Sequence, residues 1–536
     1  MTTRPGAGLD TALPYPSRRS PVMAANMVAT SQPLAAQTGL AMLAKGGNAV
    51  DAAVAAAMAL TVVEPTGNGL GSDAFAILWD GQRLHGLNAS GRSPAAWAPD
   101  RFRGRTGMPE LGWNSVTVPG AVSAWVALAE RFGRLPLATL AEPAIRYARH
   151  GFMVSPIIAE LWRRAEERLA GQPGFAEAFL PGGRAPAAGE LFCHERQAAS
   201  LELIAETRGE AFYRGALAER LVAHARAHGG AMTEDDLGGH APDWIDTIAV
   251  PFAGAVVHEL PPNGQGIATL MALGMMEELG LGDRAVDDPA THHLAIEAVK
   301  LAMADLKEHV ADAAFMRHPP ASLLDRRYLA RRAALIDRGR AGDPLHGTPG
   351  PGGTVYLAAA DAQGMMVSYI QSNYMGFGSG IVVPGTGVSL QNRGAGFVLR
   401  PDHANAVGPR KRPFHTIIPG FATTADGRPL MAFGLMGGPM QAQGHVQLAL
   451  RILAYGQNPQ AASDAPRWRV LGGRQVAVEP GLGPEVLEGL AALGHEILIE
   501  PPESHFAFGG SQVILGTPAG FVAGSDPRKD GQAVGF

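Results

Sequence analysis

The chain has 536 residues, of which 46% are hydrophobic and 17% charged, so we expect a globular protein with a large core and, on length alone, two or three domains. Its formal net charge of -5 gives no basic footprint for nucleic acid and no polybasic surface for anionic lipid. The single cysteine, Cys193, excludes an intramolecular disulfide and a CxxC metal or redox site. These numbers favour a small-molecule or peptide substrate.

The amino-terminal segment contains an arginine pair but no apolar run of the length that a signal peptide needs. The longest apolar stretch, Ala49 to Val63, carries Asp51 and is too short to span a bilayer. We therefore predict a cytoplasmic protein, with residues 1 to about 20 as a loose arm.

The first predicted helix runs from Gln32 to Lys45 and ends at Gly46-Gly47-Asn48. A second helix, from Ala49 to about Leu60, is alanine-rich on every face, which predicts burial between layers. Residues 74–88 then alternate as a β-hairpin that turns at Asp80-Gly81.

Residues 119–235 are predicted to be largely helical, and Asp288 to Asp312 forms a long amphipathic helix. The segment 341–353 has five glycines and three prolines, so no regular element is expected there. Residues 354–374 alternate like two strands joined by a turn around 362–364.

The segment Gly352-Gly353-Thr354 is suited to making a nucleophile. A threonine hydroxyl needs a base beside it, and the α-amine of an amino-terminal threonine, with a pKa of about 8, can take that part. Two glycines permit strained backbone angles and leave the Gly353 carbonyl open to attack by Thr354. The alternative is that Gly-Gly-Thr only ends a loop and begins a strand.

A second feature lies at Gly437-Gly438, between a predicted strand (Pro429 to Phe433) and a predicted helix (Met440 to Tyr455) with Pro439 near its first position. Backbone N–H groups at such a helix start favour negative charge, as an oxyanion hole requires. A plain tight turn is the alternative.

Together these segments resemble the γ-glutamyltransferase family of N-terminal-nucleophile hydrolases. The resemblance is carried by an ordered set that spans most of the chain: GGNAVDAAVAAAMALTVVEP (46–65), GLGSDAF (69–75), HLAIEAVKLAMADLKEH (293–309), GGTVYLAAADAQG (352–364), FGSGIV (377–382), NAVGPRKRP (405–413), GGPM (437–440) and SDPRKDG (525–531).

The resemblance implies an α+β fold, a four-layer αββα sandwich, and self-cleavage into fragments 1–353 and 354–536 that together form one domain. The partner of each fragment is then the other, with further dimerisation left open, and no metal or organic cofactor is needed. Thr354 becomes the nucleophile, Gly437 and Gly438 the oxyanion donors, and Ser372 the hydroxyl that positions the freed amine. Arg92 matches the arginine that holds the substrate carboxylate.

Several positions depart from the pattern of family members that act on glutathione. Tyr374 stands where asparagine is usual, Arg393 and Gly396 replace a glutamine and an acid, and His415 and Thr416 replace two serines. Losing the acid and gaining Arg393 disfavours a substrate ammonium. We therefore hypothesise an anionic acyl group without the amine, oxamate-like or glutaryl-like, as in the oxamate amidohydrolase and cephalosporin-acylase-like branch that LNASGR and QSNYMGFGSG resemble.

Two other candidate sites have weaker support. His293 and Glu297 share a helix face near His309, but no HExxH set accompanies them, so a surface or interface role is predicted instead of a metal site. The loop 67–71 lacks the spacing and lysine of a phosphate cradle. Two rival functions stay open: a true γ-glutamyltransferase or glutathione hydrolase, and a non-catalytic scaffold with the same fold.

Overall fold

The structure, a computed structural model, describes residues 18–343 and 353–536. Its strands are β1 (Val22–Ala24), β2 (Met27–Thr30), β3 (Asp73–Trp79), β4 (Leu84–Asn88), β5 (Phe152–Met153), β6 (Leu191–Phe192), β7 (Asp243–Ile245), β8 (Ile248–Phe252), β9 (Ala255–Glu259), β10 (Gly353–Ala360), β11 (Met366–Tyr374), β12 (Val382–Val383), β13 (Val388–Ser389), β14 (Gly420–Thr424), β15 (Pro429–Leu435), β16 (Trp468–Gly472), β17 (Gln475–Val478), β18 (Glu496–Ile499), β19 (Ser511–Thr517), β20 (Gly520–Ser525) and β21 (Gln532–Gly535).

The α-helices are α1 (Pro33–Ala44), α2 (Ala49–Val63), α3 (Ala121–Phe132), α4 (Leu137–His150), α5 (Pro156–Leu169), α6 (Phe175–Phe179), α7 (Glu195–Glu206), α8 (Glu210–Tyr213), α9 (Ala216–Ala227), α10 (Glu234–Gly238), α11 (Gly266–Leu279), α12 (Pro289–His309), α13 (Pro320–Leu323), α14 (Arg326–Ala333), α15 (Met440–Ala449), α16 (Pro459–Asp464) and α17 (Pro484–Ala492). None of the helices in the described ranges is long and apolar enough to cross a bilayer.

Two seven-stranded antiparallel sheets form the centre of the described structure. One has the order β21-β2-β10-β11-β3-β4-β7 and the other β1-β20-β19-β15-β14-β9-β8. A core that includes Phe75, Tyr356, Ile370, Phe421 and Ile514 fills the space between their facing surfaces. The two sheets therefore pack face to face, as in a sandwich.

Helices cover the outer face of each sheet. Helices α1 to α10 pack with residues of β10 and β11 in one apolar core, and α11, α12, α14 and α15 pack with β14 and β15 in another. This arrangement confirms the predicted α+β, four-layer αββα sandwich.

The helix α2 shows how the sequence specifies one layer. Asn48 caps it, because its side chain accepts from the Asp51 N–H while the Asp51 carboxylate accepts from the Asn48 N–H. All fifteen of its residues are buried, as the alanine-rich composition predicted. Small side chains let the helix lie close to both α1 and the sheet.

Most predicted elements are confirmed. Helix α1 matches within one residue at each end, α2 extends three residues further, and the hairpin of β3 and β4 turns at Asp80-Gly81 as expected. The predicted helix from Met440 to Tyr455 is α15 followed by a π-helical turn at Leu450–Ala454. The expected loose arm and the irregular linker fall largely on residues 1–17 and 344–352, outside the described residues.

Candidate active site

Strand alternation places Thr354 between the two sheets. Along β10, Tyr356 and Ala358 belong to the core between the sheets, whereas Val355 and Leu357 face the helical layer. Since successive side chains point to opposite faces of a strand, Thr354 shares the face of Tyr356. The same alternation along β11 puts Ser372 on this face with Ile370.

The Thr354 side chain is 2% exposed and lies among polar groups. Its Oγ1 is 3.1 Å from Ser372 Oγ, and Gln441 Nε2 donates to it at 3.5 Å. The loop before β3 also reaches it, because a Cβ added to Gly67 would lie 3.1 Å from the Thr354 carbonyl oxygen. Gly67 therefore allows the glycine-rich loop to contact the nucleophile candidate directly.

The second predicted feature, Gly437-Gly438, connects β15 of the opposite sheet to α15. Both glycines have positive φ, 115° and 60°, and a Cβ on Gly437 would lie 3.1 Å from Gly509 Cα. Neither N–H of the pair donates a hydrogen bond within residues 18–343 and 353–536. Two open N–H donors before a helix form a site that favours negative charge.

Thr354 and Gly437 line the same cavity, of about 410 Å³. Its other walls combine apolar side chains with charged ones, among them Leu161, Phe377, Met436, Glu64, Arg168 and Lys529. Thr354, Ser372 and the Gly437 loop are thus brought together, as the sequence predicted, beside a space large enough for a small organic molecule.

Arg393 belongs to a second, buried cluster with Tyr374, the residue that precedes Met375 and Gly376 of the cavity wall. Its guanidinium lies 4.5 Å over the Tyr374 ring, and Nη1 donates to Thr416 Oγ1 at 2.8 Å. Among the described residues, its Nε and Nη2 have no hydrogen-bond partner although both are buried. Burial lowers the pKa of Arg393 to about 10, so the side chain keeps its charge at neutral pH.

Tyr374 joins the two clusters. Its N–H donates to Ser372 Oγ at 2.8 Å, and its backbone pairs with Gly353 at the start of β10. Its φ of 79° lies in the left-handed region, which is costly for a residue with a Cβ. Such strain is typical of functional sites.

His415 does not reach the cavity but pairs with Asp73. Its Nε2 lies 3.1 Å from Asp73 Oδ2, and both side chains are fully buried. Burial, with the charges of Arg393 and Arg412, lowers the pKa of His415 well below its usual range, so the ring is neutral. Burial raises the pKa of Asp73 to about 7, against the opposing effect of Arg393.

This shift predicts a pH-dependent contribution of Asp73 to stability. The folded pKa is about 7 and the unfolded value 3.8, so the folded state binds more protons between these values and loses stability as pH rises through them. We expect the melting temperature of the wild type to fall relative to that of Asp73→Asn from pH 5 to pH 8. Equal differences in thermal scans at both pH values would contradict the shift.

Arg92 lies away from Thr354. Its side chain is 44% exposed, Nη1 pairs with Asp312 at 3.1 Å, and it lines a different cavity with Asp236 and Asp243. Gly396, in place of an acid, packs so closely on the Phe414 carbonyl that a Cβ would come within 2.5 Å of the oxygen. The structure therefore places Arg393, and not Arg92, beside Tyr374 and Thr416.

His293 and Glu297 are buried, so the surface half of the predicted surface or interface role is wrong. His293 instead contacts His495 in the 354–536 part of the chain, which fits the interface half. With His495 they bring possible metal-ligand atoms within 4.8 Å of one another. However, His293 contacts His495 Nε2 and the Asp337 carbonyl, both at 2.8 Å, and Lys300 Nζ pairs with Glu297 at 2.8 Å. A metal would have to displace the lysine cation, so the cluster fits a hydrogen-bonded network better than a metal site.

Three residues of the site were missed by the sequence predictions. Asp73 carried a signal, since an acid at the start of an apolar strand is rarely buried without a role. Gln441 lies in the first turn of α15, directly after the predicted oxyanion loop. Gln265, which contacts that loop, carries no periodic signal because its position depends on contacts distant in sequence.

Comparison with known proteins identifies the family of the chain. The family model described as gamma-glutamyltranspeptidase matches residues 35–536. A glutathione hydrolase-like YwrD proenzyme of Bacillus subtilis is 38% identical over 523 residues, 95% of this chain and 98% of the relative. An oxamate amidohydrolase proenzyme of Klebsiella pneumoniae is 36% identical over 520 residues, 94% of this chain and 97% of the relative.

Among solved structures, a cephalosporin acylase from Bacillus halodurans is 47% identical, with a TM-score of 0.94 over 98% of this chain and 99% of the acylase. Sequence and structure therefore match relatives along nearly their whole length.

Proposed function

Because the chain belongs to the gamma-glutamyltranspeptidase family of N-terminal-nucleophile hydrolases and acylases, we propose that Thr354 first cuts the chain before itself and then hydrolyses a small amide. The observation that carries the proposal is that Thr354, with Ser372 Oγ 3.1 Å from its hydroxyl, lines the same cavity as Gly437 of the Gly437-Gly438 loop. Nucleophile, positioning hydroxyl and oxyanion donors are the parts that amide cleavage needs.

In the cleavage step, Thr354 Oγ1 attacks the Gly353 carbonyl, and the peptide bond is exchanged for an ester. Water then hydrolyses the ester, which leaves Gly353 with a carboxylate and Thr354 with a free α-amine. The products, 1–353 and 354–536, remain paired, because β10 and β11 of the second pair with β2 and β3 of the first in one sheet.

In turnover, the α-amine of Thr354 takes the proton of Oγ1 as the oxygen attacks the substrate carbonyl. The N–H groups of Gly437 and Gly438 stabilise the oxyanion, and the leaving amine takes the proton. Water attacks the acyl ester in the same way and releases the acid, which regenerates the free threonine.

The acyl group that we propose carries a carboxylate and no ammonium. Its support is Arg393, a buried cation with two donors that lack partners among the described residues, and Gly396, where close packing leaves no room for an acid. An oxamate-like or glutaryl-like amide would pair with Arg393, whereas an ammonium would be repelled. Gly353 pairs with Tyr374 beside Arg393 in the uncut chain, and we infer that its release after cleavage opens the way for the acyl group to Arg393.

A panel of amides with one leaving amine tests this specificity. The acyl groups are oxalyl (the acyl group of oxamate), glutaryl, γ-glutamyl and an uncharged chain of glutaryl length. We expect kcat/KM to be at least about tenfold higher for an anionic acyl group without the amine than for γ-glutamyl. A preference for γ-glutamyl would instead support the glutathione hydrolase assignment.

Ser372→Ala should lower kcat on the best amide by about 10-fold to 100-fold with little change in KM, because Ser372 positions Thr354 and not the acyl group. Ser368→Ala is the matched control, since Ser368 is buried on the same face of β11 but bonds Tyr356 at 2.8 Å. Equal kinetic losses in the two variants would contradict the role given to Ser372.

A further inference from the structure

Gln265 connects the parts of the proposed active site. It is fully buried and stands immediately before α11, with its Nε2 donating to two backbone carbonyls, Thr416 at 2.5 Å and Gly438 at 2.8 Å. Both partners are acceptors, so the NH2 group must face them, and this fixes the orientation of the side-chain amide.

The backbone holds Gln265 in register with the Arg393 cluster. Its N–H donates to the His415 carbonyl at 3.0 Å, and the His415 N–H donates to the Asn263 carbonyl at 2.9 Å. Thr416 follows in the chain, and its hydroxyl accepts from Arg393 Nη1 at 2.8 Å. A continuous series of hydrogen bonds thus runs from Arg393 through Thr416 and Gln265 to Gly438.

The far end of this series supports the oxyanion loop. The two peptide units that end at Gly437 and Gly438 must direct their N–H groups toward the reacting carbonyl, yet both glycines have positive φ and little intrinsic preference for one conformation. The bond from Gln265 to the Gly438 carbonyl restrains the loop. A displacement of about 1 Å in such a loop can cost about 100-fold in rate.

We propose that Gln265 is a positioning residue that couples the acyl-carboxylate site at Arg393 and Thr416 to the oxyanion loop at Gly437-Gly438. The inference rests on the proposed function. When Arg393 binds a substrate carboxylate, it fixes the position of Thr416. The hydrogen bonds of Gln265 to Thr416 and Gly438 then fix the oxyanion loop, so that binding of the acyl group supports the chemical step.

The matched control is Gln447, which is also buried and whose Nε2 also donates to two carbonyls, those of Gln443 at 3.3 Å and Trp468 at 3.0 Å. It lies further along α15, and within the described part of the chain its side chain hydrogen-bonds only to Gln443 and Trp468, neither of which belongs to the proposed site. The variants Gln265→Leu and Gln447→Leu are produced as full chains and left to process themselves. Their kcat and KM are then measured on the best anionic amide of the panel.

We expect Gln265→Leu to lower kcat by about 10-fold to 100-fold with KM changed less than about threefold, and Gln447→Leu to retain wild-type kcat even if its melting temperature falls. In an Arg393→Met background, Gln265→Leu should cost less than in the wild type, because coupled residues are not additive. If Gln265→Leu leaves too little processed enzyme to assay, the rate of self-cleavage is measured instead. We then expect this rate to be lower than that of a folded Gln447→Leu precursor.

The inference fails if Gln265→Leu keeps wild-type kcat and processing, if its effects equal those of Gln447→Leu, if only KM changes, or if it is additive with Arg393→Met. The proposed function has a separate test. If a Thr354→Ala variant still turned over amides, the proposed function would fail, whatever the result for Gln265.

Discussion

Thr354→Ala should yield a folded single chain that neither cuts itself nor hydrolyses any amide. The hydroxyl oxygen of Thr354 is the atom that attacks in both reactions. In Thr354→Ala only a methyl group remains at this position between the sheets. Loss of a nucleophile of this kind lowers kcat by about 10⁴-fold or more. Gel analysis of the purified variant measures processing, and amide turnover at high enzyme concentration measures the residual rate.

Thr354→Ser is the control, because it keeps a hydroxyl at the same position of β10 and should retain processing and part of the turnover. A Thr354→Ala variant that still hydrolyses amides would refute the mechanism. Processing of that variant between residues 353 and 354 would show that cleavage does not depend on the Thr354 hydroxyl.

Arg393→Met should remove most of the discrimination in favour of anionic acyl groups. We expect kcat/KM on an oxalyl or glutaryl amide to fall by about 100-fold, or ~3 kcal/mol, because the substrate carboxylate would lose its buried cation. The uncharged amide should lose far less, so the ratio between the two substrates is the measurement. Methionine keeps much of the side-chain volume beneath Tyr374.

Arg92→Met distinguishes the two candidate arginines. The sequence resemblance gave Arg92 the carboxylate role, whereas the structure places it on another cavity with Asp312 as partner. We expect Arg92→Met to leave the substrate ratio within about threefold of the wild type. A large change of this ratio in Arg92→Met and none in Arg393→Met would reverse the assignment.

The sequence was informative where local rules decide the structure. Period-two alternation predicted β10 and β11, whereas the placement of Ser372 near Thr354 was implied only by the family resemblance. The two glycines before Met440 predicted the loop between strand and helix, since positive φ is readily adopted there only without a Cβ.

Positions fixed by long-range contacts could not be derived in this way. Asp73 and His415 are 342 residues apart and meet only because the two sheets pack together. Gln265 reaches Gly438 across 173 residues. Arg92 follows β4 on a segment whose backbone is bonded to Val118, and nothing local in the sequence shows that its side chain turns toward Asp312.

The central claim is that Thr354 becomes the first residue of its own chain, and intact mass measurement of the purified wild-type protein tests it most directly. The account predicts two masses, those of residues 1–353 and 354–536, with threonine at the amino terminus of the second. A single uncut chain in a preparation that hydrolyses amides, or a cut at any other bond, would contradict it.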